Sequence, residues 1–262
     1  MESVYTISDQ QMTGLSSLAD FGLDQDNLNR IDDAIREAAG NLKFLSPSQT
    51  RDANFSFPVS SLFITEPLHT VTDLNRLFKS AFEQVQGGGF LICHLETTEQ
   101  RKRRLMNELP VGINHLRYAG DFLLHRVSSR VVLTRPVYRM VFPCIRTISK
   151  AEAFGRLFYA GFTVKTSFDS RNSLVIIAQK TANEFTALPP SSEGVLLRIR
   201  RIGLEKRLFN VYKFRTMHPY SEYLQQYLME TTGLDTSGKF KDDFRVTSLG
   251  KWMRKYKVDE LP

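Results

Sequence analysis

The chain has 262 residues, 42% hydrophobic and 24% charged, the composition of a folded protein long enough for one large or two modest domains. Its two cysteines, Cys93 and Cys144, exclude a disulfide framework and a cysteine-based zinc site and fit a reducing compartment. The net charge of +7 is concentrated, because eleven Lys/Arg between Arg101 and Lys150 face only Glu108 and Asp121.

Met1 to Asp9 lacks the basic and apolar regions of a secretory signal. No run approaches the ~20 apolar residues needed to span a bilayer. The expectation is therefore a largely cytoplasmic chain. Residues 24–39 predict an amphipathic helix, with Leu28, Ile31, Ala34, Ile35 and Ala38 on one face. Val59 to Thr65 is an apolar run suited to a buried strand. Asp73 to Val85 reads as a helix ended by Gly87–Gly89, and Phe90 to Leu95 as a second buried strand.

From Ile113 to Leu133, Leu116, Leu123, Val127 and Val131 recur at helical spacing, with Arg126 and Arg130 on a neighbouring face. Such a helix suits a membrane interface, its arginines on anionic headgroups and its apolar face shallowly inserted. A helical insertion packed on the core, with arginines in water, explains the same pattern. No nucleic-acid module surrounds Tyr118, Phe122 and Tyr138, so nucleic acid is not an expected partner.

Ser149 predicts the cap of a helix through Ala160, with Glu152 as in a capping box. Gly161-Phe162 then opens a strand that pairs with Ser173 to Ala178. Strand, helix, strand, helix and hairpin is an α/β order. It resembles the C-terminal half of a class I methyltransferase, a Rossmann-like fold in which a helix ending in Gly-Phe precedes a last antiparallel pair. The Gly-rich strand–turn–helix that holds S-adenosylmethionine is missing, since residues 1–57 contain only Gly14, Gly22 and Gly40. The domain is expected to be a degenerate one spanning 1–185, with the basic insertion at about 101–148; a methyltransferase is the less favoured alternative.

After a linker at 186–192, containing Pro189-Pro190, Leu196 to Arg201 and Phe209 to Arg215 predict a hairpin through Gly203–Arg207. Alternation puts Lys213 and Arg215 on one side of the second strand. Arg198 and Arg200 share a face of the first, and a cation cluster there would suit a diphosphate. Tyr220, Tyr223, Leu224, Tyr227 and Leu228 form one stripe of a helix closed by Gly233, read as core. Ser248 or Thr247 caps a helix containing Trp252, Met253 and Tyr256, and Asp259-Glu260 follow. His69, His94, His115 and His125 have no ligand spacing and are read as structural, and His218, although near the hairpin, is not given a catalytic role.

Five blocks in residues 193–262, roughly a quarter of the chain, resemble the bacterial sugar transferases, the monotopic polyprenyl-phosphate phosphoglycosyl transferases. They are the Gly194 strand, Arg201-Ile-Gly203, Lys213-Phe-Arg-Thr-Met217, Arg245-Val-Thr-Ser-Leu-Gly250, and Arg254 to Asp259-Glu-Leu-Pro262. Lys257-Val258 stand where the family has Ser-Leu, and the family's Gln-x-x-Asn-Val-Leu and Gly-x-Arg-Pro segments lie beyond this sequence. The resemblance implies a small α+β module with Asp259 as nucleophile, attacking the sugar-bearing phosphorus of a UDP-sugar, and Glu260 as ligand of Mg²⁺. It also places Arg254, and more weakly Arg245, on phosphate. Lys213, Arg215 and Arg200 complete the candidate phosphate-binding set. Polyprenyl phosphate would be the acceptor, in the first step of lipid-linked surface polysaccharide synthesis. The setting would be the cytoplasmic face of a bacterial inner membrane, reached through 113–146, beside other glycan-assembly enzymes. The alternative is an inactive interaction or regulatory module.

Overall fold

The computed structural model describes residues 58–108, 112–127, 147–170, 173–181, 194–236 and 238–260, together with 29, 31, 42–45, 110, 141 and 191. Five strands form one mixed sheet in the order β1-β2-β3-β5-β4. They are β1 (Leu42–Leu45), β2 (Val59–Ile64), β3 (Val85–Leu95), β4 (Phe162–Ser170) and β5 (Ser173–Lys180). The first three run parallel, and β5 inserts antiparallel between β3 and β4. This is the parallel sheet with a last antiparallel pair that the sequence pattern predicts.

Side chains alternate across it. Leu62, Ile64, Leu91, Cys93, Leu95, Leu174, Ile176 and Ala178 enter a core shared with the two helices on that face. Phe63, Phe90, Ile92, Val175 and Ile177 enter a second cluster with Ile31 and Phe168. Both faces are thus covered, which suits the continuous apolar runs of the central strands. Helix α1 (Leu74–Gln84) buries Leu74, Leu77, Phe78, Ala81 and Phe82 at helical spacing and is capped by Asp73, which accepts from the Arg76 amide. Helix α4 (Lys150–Tyr159) is capped by Ser149, as predicted; the Glu152 carboxylate is taken by Arg156.

One expectation needs correction. Gly87–Gly89 do not end a helix, because β3 starts at Val85 and runs through them. Val59 pairs with Val85 but Ser61 with Phe90, so β3 carries extra residues there, and the glycines fill that bulge. The helix expected from Ile113 onward is α3 (Ile113–Asp121), packed on α2 (Thr98–Asn107) and continued by a π-helical turn, Phe122–Val127. Arg130, Val131 and most of 24–39 lie outside the described residues, although Asn29 and Ile31 are helical.

Beyond residue 193 come the hairpin β6 (Leu196–Ile202) and β7 (Leu208–Phe214), a 3-10 turn Ser221–Leu224, α5 (Gln225–Thr231) and α6 (Ser248–Tyr256). Tyr220 locks this part to α4. Its main chain lies against Gly155, where a Cβ would collide. Its ring lies 4.3 Å under the Arg156 guanidinium, and its hydroxyl accepts from Asn75 Nδ2 at 2.6 Å. Arg156 also donates to Asn75 Oδ1 at 2.8 Å and, from Nε and Nη2, to Glu152 Oε1. Arg156, Glu152 and Tyr220 are all buried.

Candidate functional site

Strand β7 places Lys213 at the inner end of the hairpin. Helix α6 places Asp259 and Glu260 against it. Thr247 caps α6 by accepting from the Gly250 amide at 2.8 Å. Lys257 ends it in the left-handed conformation (φ 54°), with its amide and that of Val258 bonded back to Met253. The tight turn reverses the chain, and the Phe214 amide donates to the Asp259 carbonyl at 2.8 Å. Lys213 and Glu260 form an antiparallel bridge.

The side chains then converge. Lys213 Nζ is 3.2 Å from Asp259 Oδ2 and 2.9 Å from Glu260 Oε1. Asp259 is buried at 6% relative exposure, whereas the Glu260 side chain is 74% exposed. The hydrogen bond Lys213 donates to Glu260, opposed by burial and helped by Asp259, holds its ammonium above the usual lysine range. A buried carboxylate with one cation at hand and an accessible carboxylate beside it is an arrangement for receiving a charged substrate.

A second cluster forms around Thr216. Its carbonyl accepts from the Thr247 amide at 2.9 Å and the Thr247 hydroxyl at 3.2 Å, and its hydroxyl accepts from Arg254 Nε at 3.0 Å. Gly250 packs on the Thr216 main chain, with no room for a Cβ. Arg245 is buried, clamped on Asp243 by bonds of 2.8 and 2.9 Å, and stacked over Phe240. Burial alone would raise the Asp243 carboxyl, but Arg245, with Arg254 beyond it, holds it below the usual range.

Of the predicted residues, Lys213, Asp259 and Glu260 meet. Arg254 and Arg245 lie in the Thr216 cluster, engaged with Thr216 and Asp243. Arg215, just past β7, donates to the Gly194 carbonyl at 2.8 Å. Arg200 is placed elsewhere: it pairs with Asn210 and Arg198 with Tyr212, whereas Lys213 pairs with Leu197. Directly opposed residues share a face, so Arg198 and Arg200 lie on the side away from Lys213. The expected cation cluster is split between two faces.

His218 is buried and its amide donates to the Arg245 carbonyl at 2.8 Å. Thr216 and the Tyr220 lock escaped the sequence reading; Gly250 and Gly155, glycines inside helices, were the visible signals of close approach. Among the described residues there is no group of three or more His, Cys, Asp or Glu able to hold a metal ion, and no helix long and apolar enough to cross a membrane.

The bacterial sugar transferase family model matches residues 163–262. The C-terminal part of the chain is that of a bacterial sugar transferase. The match begins at Thr163, inside β4, so the transferase match takes in the last two strands of the large sheet. Galactosyl transferase CpsE of Streptococcus agalactiae serotype III (strain NEM316) is 42% identical over 65 residues, 24% of this chain and 14% of that protein. Undecaprenyl-phosphate glucose phosphotransferase of Komagataeibacter xylinus is 35% identical over 78 residues, 29% of this chain and 13% of that protein. The chain therefore spans about a seventh of the length of these curated relatives. Among solved structures, mycolic acid cyclopropane synthase CmaA1, complexed with SAH and CTAB, aligns at TM-score 0.31 and 13% identity over 48% of this chain and 57% of that one. A superposition that loose carries no argument, and the fold class rests on strand order and polarity.

Proposed function

We propose that this chain carries the reaction centre of a polyprenyl-phosphate sugar phosphotransferase. It would move a sugar 1-phosphate from a UDP-sugar to polyprenyl phosphate, at the cytoplasmic face of a bacterial inner membrane, to begin lipid-linked surface polysaccharide. The observation that carries the reading is Lys213 bridging buried Asp259 and exposed Glu260, in a segment of transferase sequence.

In this reading an Asp259 carboxylate oxygen attacks the phosphorus bearing the sugar. The bond to the UMP oxygen breaks, UMP leaves with its electron pair, and the phospho-sugar stays on the aspartate. A phosphate oxygen of the polyprenyl acceptor then attacks the same phosphorus and releases the carboxylate. Lys213 orients Asp259 and faces its carboxylate with a positive charge before substrate arrives. It then moves its charge toward the diphosphate as negative charge builds on the leaving group. Arg254, bonded through Nε alone in the contacts described above, presents its remaining guanidinium donors for phosphate.

Glu260, exposed and next to the nucleophile, suits one carboxylate ligand of Mg²⁺, an ion that binds through one or two carboxylates plus substrate phosphates. When bound, the ion would neutralise the diphosphate charge. Exposed Ile113, Leu116 and Leu123 on the 113–127 stretch support a membrane contact there.

The test is intact mass after incubation with a panel of UDP-sugars. Wild-type protein should gain one phospho-sugar and release one UMP, and Asp259→Asn should do neither. UMP release at wild-type rate by Asp259→Asn would remove aspartate as nucleophile.

A further inference from the structure

The geometry points to the apex of the β6–β7 hairpin as a docking element for an anionic lipid surface. The hairpin is a two-stranded sheet standing apart from the large one. Its end exposes Leu204 at 89%, Ile202 at 73% and Leu208 at 67%, with Phe209 half-exposed beside them. Ile202 and Leu208 are direct cross-strand partners, so they form one apolar pair on the face that also carries Arg200 and Arg198. The turn between them holds Glu205 and Lys206 at φ 55° and 61°, a left-handed pair rarely adopted by such residues, and Leu204 projects where it opens.

Charge decides the occupant. From Leu196 to Phe209 the cations are Arg198, Arg200, Arg201, Lys206 and Arg207, and the acid is Glu205, already 3.2 Å from Arg207. Apolar side chains at a tip with guanidinium groups set back along the strands match the order of a bilayer surface, hydrocarbon below phosphate. A protein partner would need roughly 800 Å² from each side. Four apolar side chains on a hairpin end offer far less than that, and a lipid surface needs no preformed groove.

Leu208 and Lys213 are five residues apart on β7, about 17 Å at strand rise. Docking by the apex would therefore tether the Lys213–Asp259 pair within about that distance of the lipid headgroups. The purpose of the tether rests on the transferase reading, but the contact does not, and it is measured without any sugar nucleotide.

The experiment is flotation of the whole chain with vesicles of phosphatidylcholine, with and without phosphatidylglycerol. Wild type should float with the anionic vesicles and far less with pure phosphatidylcholine. Ile202→Ser/Leu204→Ser/Leu208→Ser should lower the partition coefficient about tenfold or more at unchanged thermal midpoint. Leu204→Ser alone, altering one exposed residue, should lower it severalfold and serves if the triple variant does not fold. Arg198→Gln/Arg200→Gln should weaken anionic binding alone. Equal flotation of the wild type and both apex variants, equal binding to uncharged vesicles, or no wild-type flotation would each overturn the proposal. So would an apex variant that turns a dimer into a monomer, since a second copy would then cover the hairpin.

Discussion

Lys213 and Asp259 sit on separate blocks of sequence, yet a 3.2 Å ion pair and the backbone bond from Phe214 to the Asp259 carbonyl hold them together. The strand supplies the cation and the turn after α6 supplies the acid. Lys257, forced to φ 54°, is what turns the chain back. The site is thus a property of the junction and of neither element alone.

Replacing Lys213 tests both sides of that junction. Lys213→Met should leave Asp259 buried without its cation and reduce UMP release by about 10²-fold or more, with Lys213→Arg restoring part of it. Exchange of the Phe214 amide should quicken in the Met variant, because the side-chain ties to Asp259 and Glu260 that help hold the chain against β7 are lost. The ammonium is held above its ordinary pKa, so the tie is fully formed below about 10.4 and gives way as pH rises through the raised value. Site-resolved titration showing release near neutral pH would contradict this assignment.

Gly250→Ala should destabilise the protein, although alanine is the better helix former by about 1 kcal/mol. The added methyl would meet the Thr216 main chain, which is fixed by Thr247 and cannot retreat cheaply. A net loss of about 1–3 kcal/mol in chemical denaturation is expected. Gly120→Ala, with open space at its Cβ position, is the control and should be neutral or stabilising.

The sheet was legible in the sequence because Leu62-Phe63-Ile64 and Leu91-Ile92-Cys93 are buried on both faces, so their apolar runs carry no ambiguity. Gly87–Gly89 misled because a bulge and a helix end call for the same residue. The faces of the hairpin misled for another reason. Alternation fixes which residues share a side within one strand, but only register relates two strands, and pairing Ile202 with Leu208 sets Arg200 opposite Asn210. Asp259 was legible through its neighbours in the motif. Its cation was not distinguishable from Arg200 or Arg215 without the three-dimensional turn at Lys257.

His94 should make the protein acid-sensitive. Burial, with His69 nearby and against the bond the ring donates to the Ile64 backbone, pushes its pKa down to about 4. A histidine kept neutral in the fold titrates near 6.5 once unfolded, so the unfolded state binds the proton first. Stability is full above pH 6.5 and is lost as pH falls toward 4, by about 2 kcal/mol between pH 7 and 5. His94→Gln should flatten that part of the curve in urea titrations, whatever its effect at pH 7. An unchanged slope would place the acid sensitivity elsewhere.

The lock between the large sheet and the transferase segment makes the sharpest stability prediction. Arg156 is bonded to buried Glu152 through Nε and Nη2, and it also carries Asn75 and the ring of Tyr220. Arg156→Met should remove two charge-assisted bonds from a buried carboxylate and cost about 3–5 kcal/mol. Glu152→Met in the same chain removes that charge, so the double variant should recover much of the loss. The recovery separates the worth of the ion pair from the harm of an orphaned acid. Tyr220→Leu, by contrast, keeps the Arg156–Glu152 pair and loses the ring contact and the Asn75 bond. It should loosen the segment after residue 193 while sparing the sheet. Hydrogen exchange should then quicken at the His218 and Ser221 amides, with β3 and β5 still protected; uniform loss of protection would mean that the two parts unfold as one unit.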